Sequence, residues 1–164
     1  MAQPAALVEA AARGDTSQVR KLLDAGVSIE QRDAQGRTPV LAATRGNHLE
    51  TARALIARGA NVNAQDAQQD SAFLFAGASG FTEIVRATLA AGADLGSTNR
   101  YGGTALIPAC HHGHVETVRA LLATPIDVNH VNNLGWTALL EAVILGDGSA
   151  PYAEIVLMLV ARGA

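Results

Sequence analysis

A small hydroxyl residue returns on a fixed step: Thr38, Ser71, Thr104 and Thr137 each stand 33 residues from the next, and Ala5 lies one further step back. A period of that length is the mark of one supersecondary unit laid down repeatedly, each copy burying its apolar face only against its neighbours. Each of these positions leads into a short Ala-rich apolar segment, LVEAAARG, PVLAATRGN, AFLFAGASG, ALIPACHHG and ALLEAVILG, predicted as an inner helix. A second apolar segment follows each one. These are SQVRKLLDAG, LETARALIARG, TEIVRATLAAG, VETVRALLATP and AEIVLMLVARG, in which Leu, Ile and Val recur at the three-and-four spacing of an amphipathic helix.

Gly26, Gly59, Gly92 and Gly163 close four of the outer segments, as expected where a helix ends in a left-handed residue. The fourth ends at Thr124-Pro125, because proline removes an amide donor. Between helix pairs run polar stretches such as NVNAQDAQQD and DVNHVNNLG, whose Asn, Asp and Gly favour turns. The unit is therefore helix, turn, helix, hairpin-like loop. The expected architecture is all-α, a solenoid of stacked helix-turn-helix pairs forming a single domain over 1–164, with repeats at about 1–32, 33–65, 66–98, 99–131 and 132–164.

The period, together with Thr38-Pro39, Gly113-His114, Gly59-Ala60-Asn61-Val62-Asn63 and Asp127-Val128-Asn129, resembles the ankyrin repeat, and the resemblance covers essentially the whole chain. Three departures stand out. The family's usual histidine after Thr-Pro-Leu is replaced by Leu41, Leu74, Ile107 and Leu140, which exchanges a hydrogen-bonding side chain for apolar packing. Pro108 falls near the first turn of an inner helix, where a missing amide costs less than it would in mid-helix. About five extra residues around Gly148-Ser149-Ala150-Pro151-Tyr152 separate the two helices of the fifth unit and are expected to form a loop on one face.

The resemblance implies binding of a protein partner on a concave surface, through the hairpin tips and the exposed side of the inner helices. Carried over position by position, it selects Ala34, Gln35, Arg37 and Arg45 in the second unit, and Ala67, Gln68, Asp70, Phe75 and Ser79 in the third. In the fourth it selects Arg100, Tyr101, His111 and His112, and in the fifth Leu134, Trp136, Glu141, Ile144 and Leu145. Aromatic residues make up only 4% of the chain, so their gathering at predicted tips weights the site to the C-terminal half. The alternative is that Tyr101 and Trp136 merely cover neighbouring tips. The final segment AEIVLMLVARG is apolar on most of its circumference, whereas Gln18, Arg20, Lys21 and Asp24 give the first unit a polar outer helix. Terminal repeats normally carry a polar face. Further repeats, or self-association through the C-terminal helix, would cover the apolar one.

Composition narrows the function classes. With 49% hydrophobic residues the chain can build a continuous core, and no apolar run reaches the roughly 18 residues of a membrane span. A formal charge of -3 without a basic run offers no footprint for nucleic acid. No cofactor is expected, since the glycines lack the spacing of phosphate-cradling loops. A lone cysteine, Cys110, forms no intramolecular disulfide, and Cys110-His111-His112-Gly113-His114 lacks the four-residue spacing that puts metal ligands on one helix face. Nucleophilic catalysis would need His114 as the base beside Cys110. Cys110 reads instead as a small core hydrophobe, and the chain as a non-enzyme. Glu50, Glu83, Glu116 and Glu154 recur near the starts of the outer helices and are expected to complement the helix dipole. The start Met1-Ala2-Gln3-Pro4 carries no secretory signal, which reads as cytoplasmic, or as periplasmic if an export signal has been removed. The Ala-rich usage, with Lys21 the single lysine, fits a bacterial source.

Overall fold

The structure is a computed structural model that describes residues 5–164; the reading of Met1 through Pro4 falls outside them. Ten helices follow in order: α1 (Ala6–Ala12), α2 (Thr16–Asp24), α3 (Pro39–Arg45), α4 (Leu49–Ala57), α5 (Ala72–Ser79), α6 (Thr82–Ala90), α7 (Leu106–His111), α8 (Val115–Leu122), α9 (Ala138–Leu145) and α10 (Ala150–Ala161). No strand occurs among the described residues. The odd-numbered helices stack on one another as an inner layer, the even-numbered ones as an outer layer, and each inner helix also packs on the outer helix that follows it. The core runs between the layers, through Leu7, Leu41, Phe73, Leu106, Leu55, Ile84, Leu121, Ile155 and Leu159, all fully buried.

The periodic hydroxyl explains how the inner helices start. Thr38, Ser71 and Thr137 accept hydrogen bonds from the amides of Leu41, Leu74 and Leu140 at 3.4, 3.2 and 3.3 Å, satisfying donors that a helix start leaves free. Thr104 does not. Its buried hydroxyl has no partner, and α7 begins only at Leu106. Pro108 accounts for the later start, because it has no amide to give the Thr104 carbonyl, four residues back, the first bond of the helix. The apolar replacements behave as expected where a following unit covers them: Leu41, Leu74 and Ile107 are buried, while Leu140 on the last pair is exposed.

Left-handed backbone also recurs in register. At the hairpin tips Gly36, Gly102 and Gly135 have φ of 76, 72 and 81°, and Gln69 adopts 61° at the equivalent place, a conformation costing a side-chain-bearing residue about 1 kcal/mol.

Two expectations change. The extra residues of the fifth unit form a loop only in part: Gly148 and Ser149 stay in the connection, but Ala150, Pro151 and Tyr152 become the first turn of α10, which reaches 12 residues where the other outer helices have eight or nine. Proline at a helix start has its φ already set and lacks only an amide that would be free anyway, so the sequence Ser149-Ala150-Pro151 opens a helix. Consequently Glu154 lies beyond the first turn and cannot serve the dipole there. Glu50, Glu83 and Glu116 do lie in the first turns of α4, α6 and α8, as expected, and Glu83, Glu116 and Glu154 also join outer helices or steady their own: Arg53 meets Glu83 across units at 3.3 Å, Arg86 meets Glu83 at 3.4 Å, and Arg119 pairs with both Glu116 and Glu154. Such exposed pairs contribute at most about 1 kcal/mol each.

Candidate functional site

Each hairpin tip is built on one Asp or Asn. Asp33, Asp66, Asn99 and Asn132 stand 33 residues apart, and the side-chain Oδ1 of each accepts two main-chain amides. For Asn99 these come from Tyr101 and Gly103 at 2.9 and 3.1 Å; for Asn132, from Leu134 and Trp136 at 2.9 and 3.1 Å. The short polar side chain thus folds the tip against itself, and the following side chains project from a fixed frame. Neighbouring tips are joined by main-chain bonds from Ala67 to Gln35 and from Asn133 to Tyr101, 3.1 and 2.9 Å long. Between the third and fourth tips the connection is instead a side-chain one, Arg100 Nη1 donating to Gln68 Oε1 at 3.3 Å.

The inner helices reach up to these tips from one register position. Arg45, at the end of α3, donates from Nη2 to Asp66 and Asp70 at 3.2 and 3.0 Å and lies over the Phe75 ring, 4.6 Å from its centroid. Burial raises the Asp70 carboxyl above its ordinary range, and Arg45 offsets part of that. Two steps along, His111 at the end of α7 contacts Glu141 Oε2 through Nδ1 at 2.7 Å, and Asn132 Nδ2 donates to the other oxygen, Oε1, at 3.1 Å. A carboxylate only accepts, so the contact places the proton on Nδ1. The Tyr152 hydroxyl donates to the His111 carbonyl at 2.8 Å, tying α10 to the same point. The residue between Arg45 and His111 in this register is Ala78, which reaches nothing.

A groove of about 480 Å³ opens there. Ala78, Ile107, Pro108, Phe75 and Leu145 line it from the inner helices, and Tyr101, Leu134, Trp136 and Arg100 from the tips; Asp70, Asn99, Asn132, His111, His112 and Glu141 supply its polar groups. Tyr101 and Leu134 are exposed, and the Arg100 guanidinium lies over the Tyr101 ring at 4.8 Å. The structure therefore brings Asp70, Phe75, Arg100, Tyr101, His111, His112, Leu134, Trp136, Glu141 and Leu145 to one depression. Arg45 stands behind it, through Phe75. Arg37 is elsewhere: Asp33 holds it in its own tip at 2.6 Å.

Glu141 needs correction. It lines the groove but is not on an exposed face: it is 6% exposed, drawn in by His111 and Asn132. The pattern also passed over Ala78, Asn99 and Asn132. The Asx positions carry a legible signal in their period, whereas Ala78 matters only through what it fails to fill.

The histidine–cysteine segment has no convergent geometry. Cys110 is fully buried, and burial, with Glu141 nearby, pushes its thiol far above the ordinary range. The His111 and His112 rings lie 4.5 Å apart and those of His112 and His114 5.8 Å. Burial, then the two flanking histidines, holds His112 below its usual range. Among the described residues no three His, Cys, Asp or Glu side chains are grouped to hold a metal, and no helix is long and apolar enough to cross a membrane.

Comparison with known proteins agrees with this architecture. A model of the family described as ankyrin repeats (3 copies) matches residues 7–99 and 72–164. The chain is similar to a crystal structure of an ankyrin repeat domain from Acinetobacter baumannii AYE, with 55% identity, a TM-score of 0.94, and coverage of 96% of this chain and 81% of that one. It is also similar to the ankyrin repeat protein EF0377, with 42% identity, a TM-score of 0.93, and coverage of 100% and 84%. A search of curated proteins returns no match. Two overlapping family matches along the helical stack and two solved relatives of this identity place the chain in the ankyrin repeat family, whose members are generally protein–protein interaction modules and typically non-catalytic.

Proposed function

We propose that this chain is an inhibitor or adaptor that holds one folded protein partner on its concave face, in the groove spanning the third to fifth units. The observation that supports this is the convergence of the exposed Tyr101 and Leu134 and the half-buried Trp136 with an exposed arginine, Arg100, around one depression of about 480 Å³. Binding energy concentrates in such clusters, rich in Trp, Tyr and Arg and centred on a pocket. The plug substitution is Ala78→Arg. The fold already carries arginine at this register in Arg45, so the new side chain has a precedent and should fill the groove from below. Partner captured from a lysate of the source organism is expected to fall roughly tenfold or more, equivalent to about 1.4 kcal/mol, with an unchanged melting temperature. Undiminished capture would remove the groove from the interface.

A second reading rests on a different surface. Leu157, Val160, Val143 and Ile144 are each more than half exposed on the last helix pair, with Val143 and Leu157 lining one depression, and exposed apolar surface of this kind favours self-association. Sedimentation velocity at tens of micromolar is expected to show a dimer that Leu157→Asp dissociates. A strictly monomeric parent chain refutes this reading and leaves the groove unaffected.

A further inference from the structure

The groove wall is apolar except at a few points, and the deepest of these is Glu141, whose side chain is 8% exposed. Its register equivalents in the preceding units are Ala42, Phe75 and Pro108, so the repeat itself does not require a charge here. Two hydrogen bonds hold the carboxylate, one from His111 and one from Asn132. A carboxylate offers about four acceptor sites, so acceptor capacity remains on a group that lines the groove.

The other charges around the groove have opposite partners. Arg45 bonds both Asp66 and Asp70, and Arg100 acts on Asp70 as well, so two guanidiniums face two carboxylates. The titratable groups that face Glu141 are His111, His112 and Cys110. None of these is a fixed cation, and among the described residues Glu141 has no salt bridge to lysine or arginine. A buried carboxylate without a full counter-charge is unfavourable, and a ligand cation relieves it. The aromatic rings of the groove also attract cations, as Arg100 over Tyr101 and Arg45 over Phe75 already show.

Resting on the docking role proposed for this groove, we infer that the partner inserts a basic side chain, lysine or arginine, with its stem along Ile107, Leu134 and Leu145 and its charged head at Glu141. Long basic side chains are suited to such a site, because their methylene stems pack on apolar walls while the head keeps a polar partner.

Trp136 is the only tryptophan of the chain and lines the groove, so its fluorescence reports occupancy. Hexylammonium, hexanol and hexanoate share one apolar stem and differ in charge. Titrated at about pH 8.5, above the usual range of histidine, hexylammonium is expected to bind roughly tenfold more tightly than hexanol, with hexanoate weakest. Glu141→Gln preserves the shape of the side chain and is expected to bring hexylammonium down to the level of hexanol. Equal binding of ammonium and alcohol, tighter binding of the carboxylate, no response to any of the three, or a preference that survives Glu141→Gln overturns the inference. The parent-chain comparison stands on its own should the variant fold poorly. Loss of the ammonium preference alone leaves partner docking intact, whereas docking fails if Ala78→Arg captures its partner undiminished.

Discussion

Replacing Tyr101 and Trp136 together by alanine is expected to weaken partner binding about 100-fold or more, equivalent to about 2.7 kcal/mol, while the helical spectrum stays the same. The two side chains occupy adjacent tips and line the same groove. Buried aromatic anchors of this type commonly account for 2 kcal/mol or more each, although their effects need not add. The scaffold should tolerate the loss because main-chain bonds shape the tips. The Tyr101 amide donates to Asn99 Oδ1 and its carbonyl accepts from Asn133; the Trp136 amide donates to Asn132 Oδ1 and its carbonyl accepts from the Asn132 amide. None of these needs the ring. Tyr101 is 56% exposed, so its removal uncovers little core. Affinity capture followed by a binding titration measures the first effect, and a thermal melt the second. A melt that collapses, with binding lost only through unfolding, would mean that the rings are structural covers for neighbouring tips.

What could be read from the sequence follows from what a strict period carries. Spacing locates the starts of all the helices but α10 to within a residue, because helix-start hydroxyls, helix-ending glycines and apolar stripes are local signals repeated from unit to unit. Ten of the candidate contact residues line one groove, since residues in the same register of a stack share a face. The failures arose where one unit departs from the others. Ser149-Ala150-Pro151 reads equally as a loop or as a helix start, and the outcome turns on whether Tyr152 finds a place; it does, with its hydroxyl on the His111 carbonyl. Pro108 falls near a helix start, where it is expected to cost little, yet it delays the start of α7 to Leu106.

Glu141 shows the limit most clearly. Its register assigned it to an exposed face, and an isolated helix would leave it there. Its burial is a pairwise matter with His111, 30 residues away, and Asn132, nine away, neither of which stands at a helical spacing from it. The groove itself is equally non-local, since it lies where Ala78 is too short to do what Arg45 and His111 do on either side. A pattern records residues that are present and conveys poorly the space left by a small one.

The largest effect on stability is expected from Phe73→Ala, at about 3 to 5 kcal/mol. Phe73 heads the fully buried side chains by volume and sits on α5, the central inner helix, which packs on both α3 and α7. Its register equivalents, Leu7, Val40, Leu106 and Leu139, are smaller, so neighbouring units have no bulk with which to fill the cavity. Position in the stack decides how that cost appears. Stability in a solenoid is close to a sum of unit terms and nearest-neighbour terms, and a weakened central unit can be lost only by breaking two interfaces. Phe73→Ala should therefore lower the urea midpoint in full. Ile155→Ala, in the equally buried core of the last helix pair, has an escape: α9 and α10 can unfold first, which limits the cost to the stability of that end and lowers the denaturant slope. Leu157→Ala, at 71% exposure, should change stability by no more than about 0.5 kcal/mol. Equal midpoints for the three variants would contradict the nearest-neighbour picture, and a cost below about 1 kcal/mol at Phe73 would contradict its place in the core.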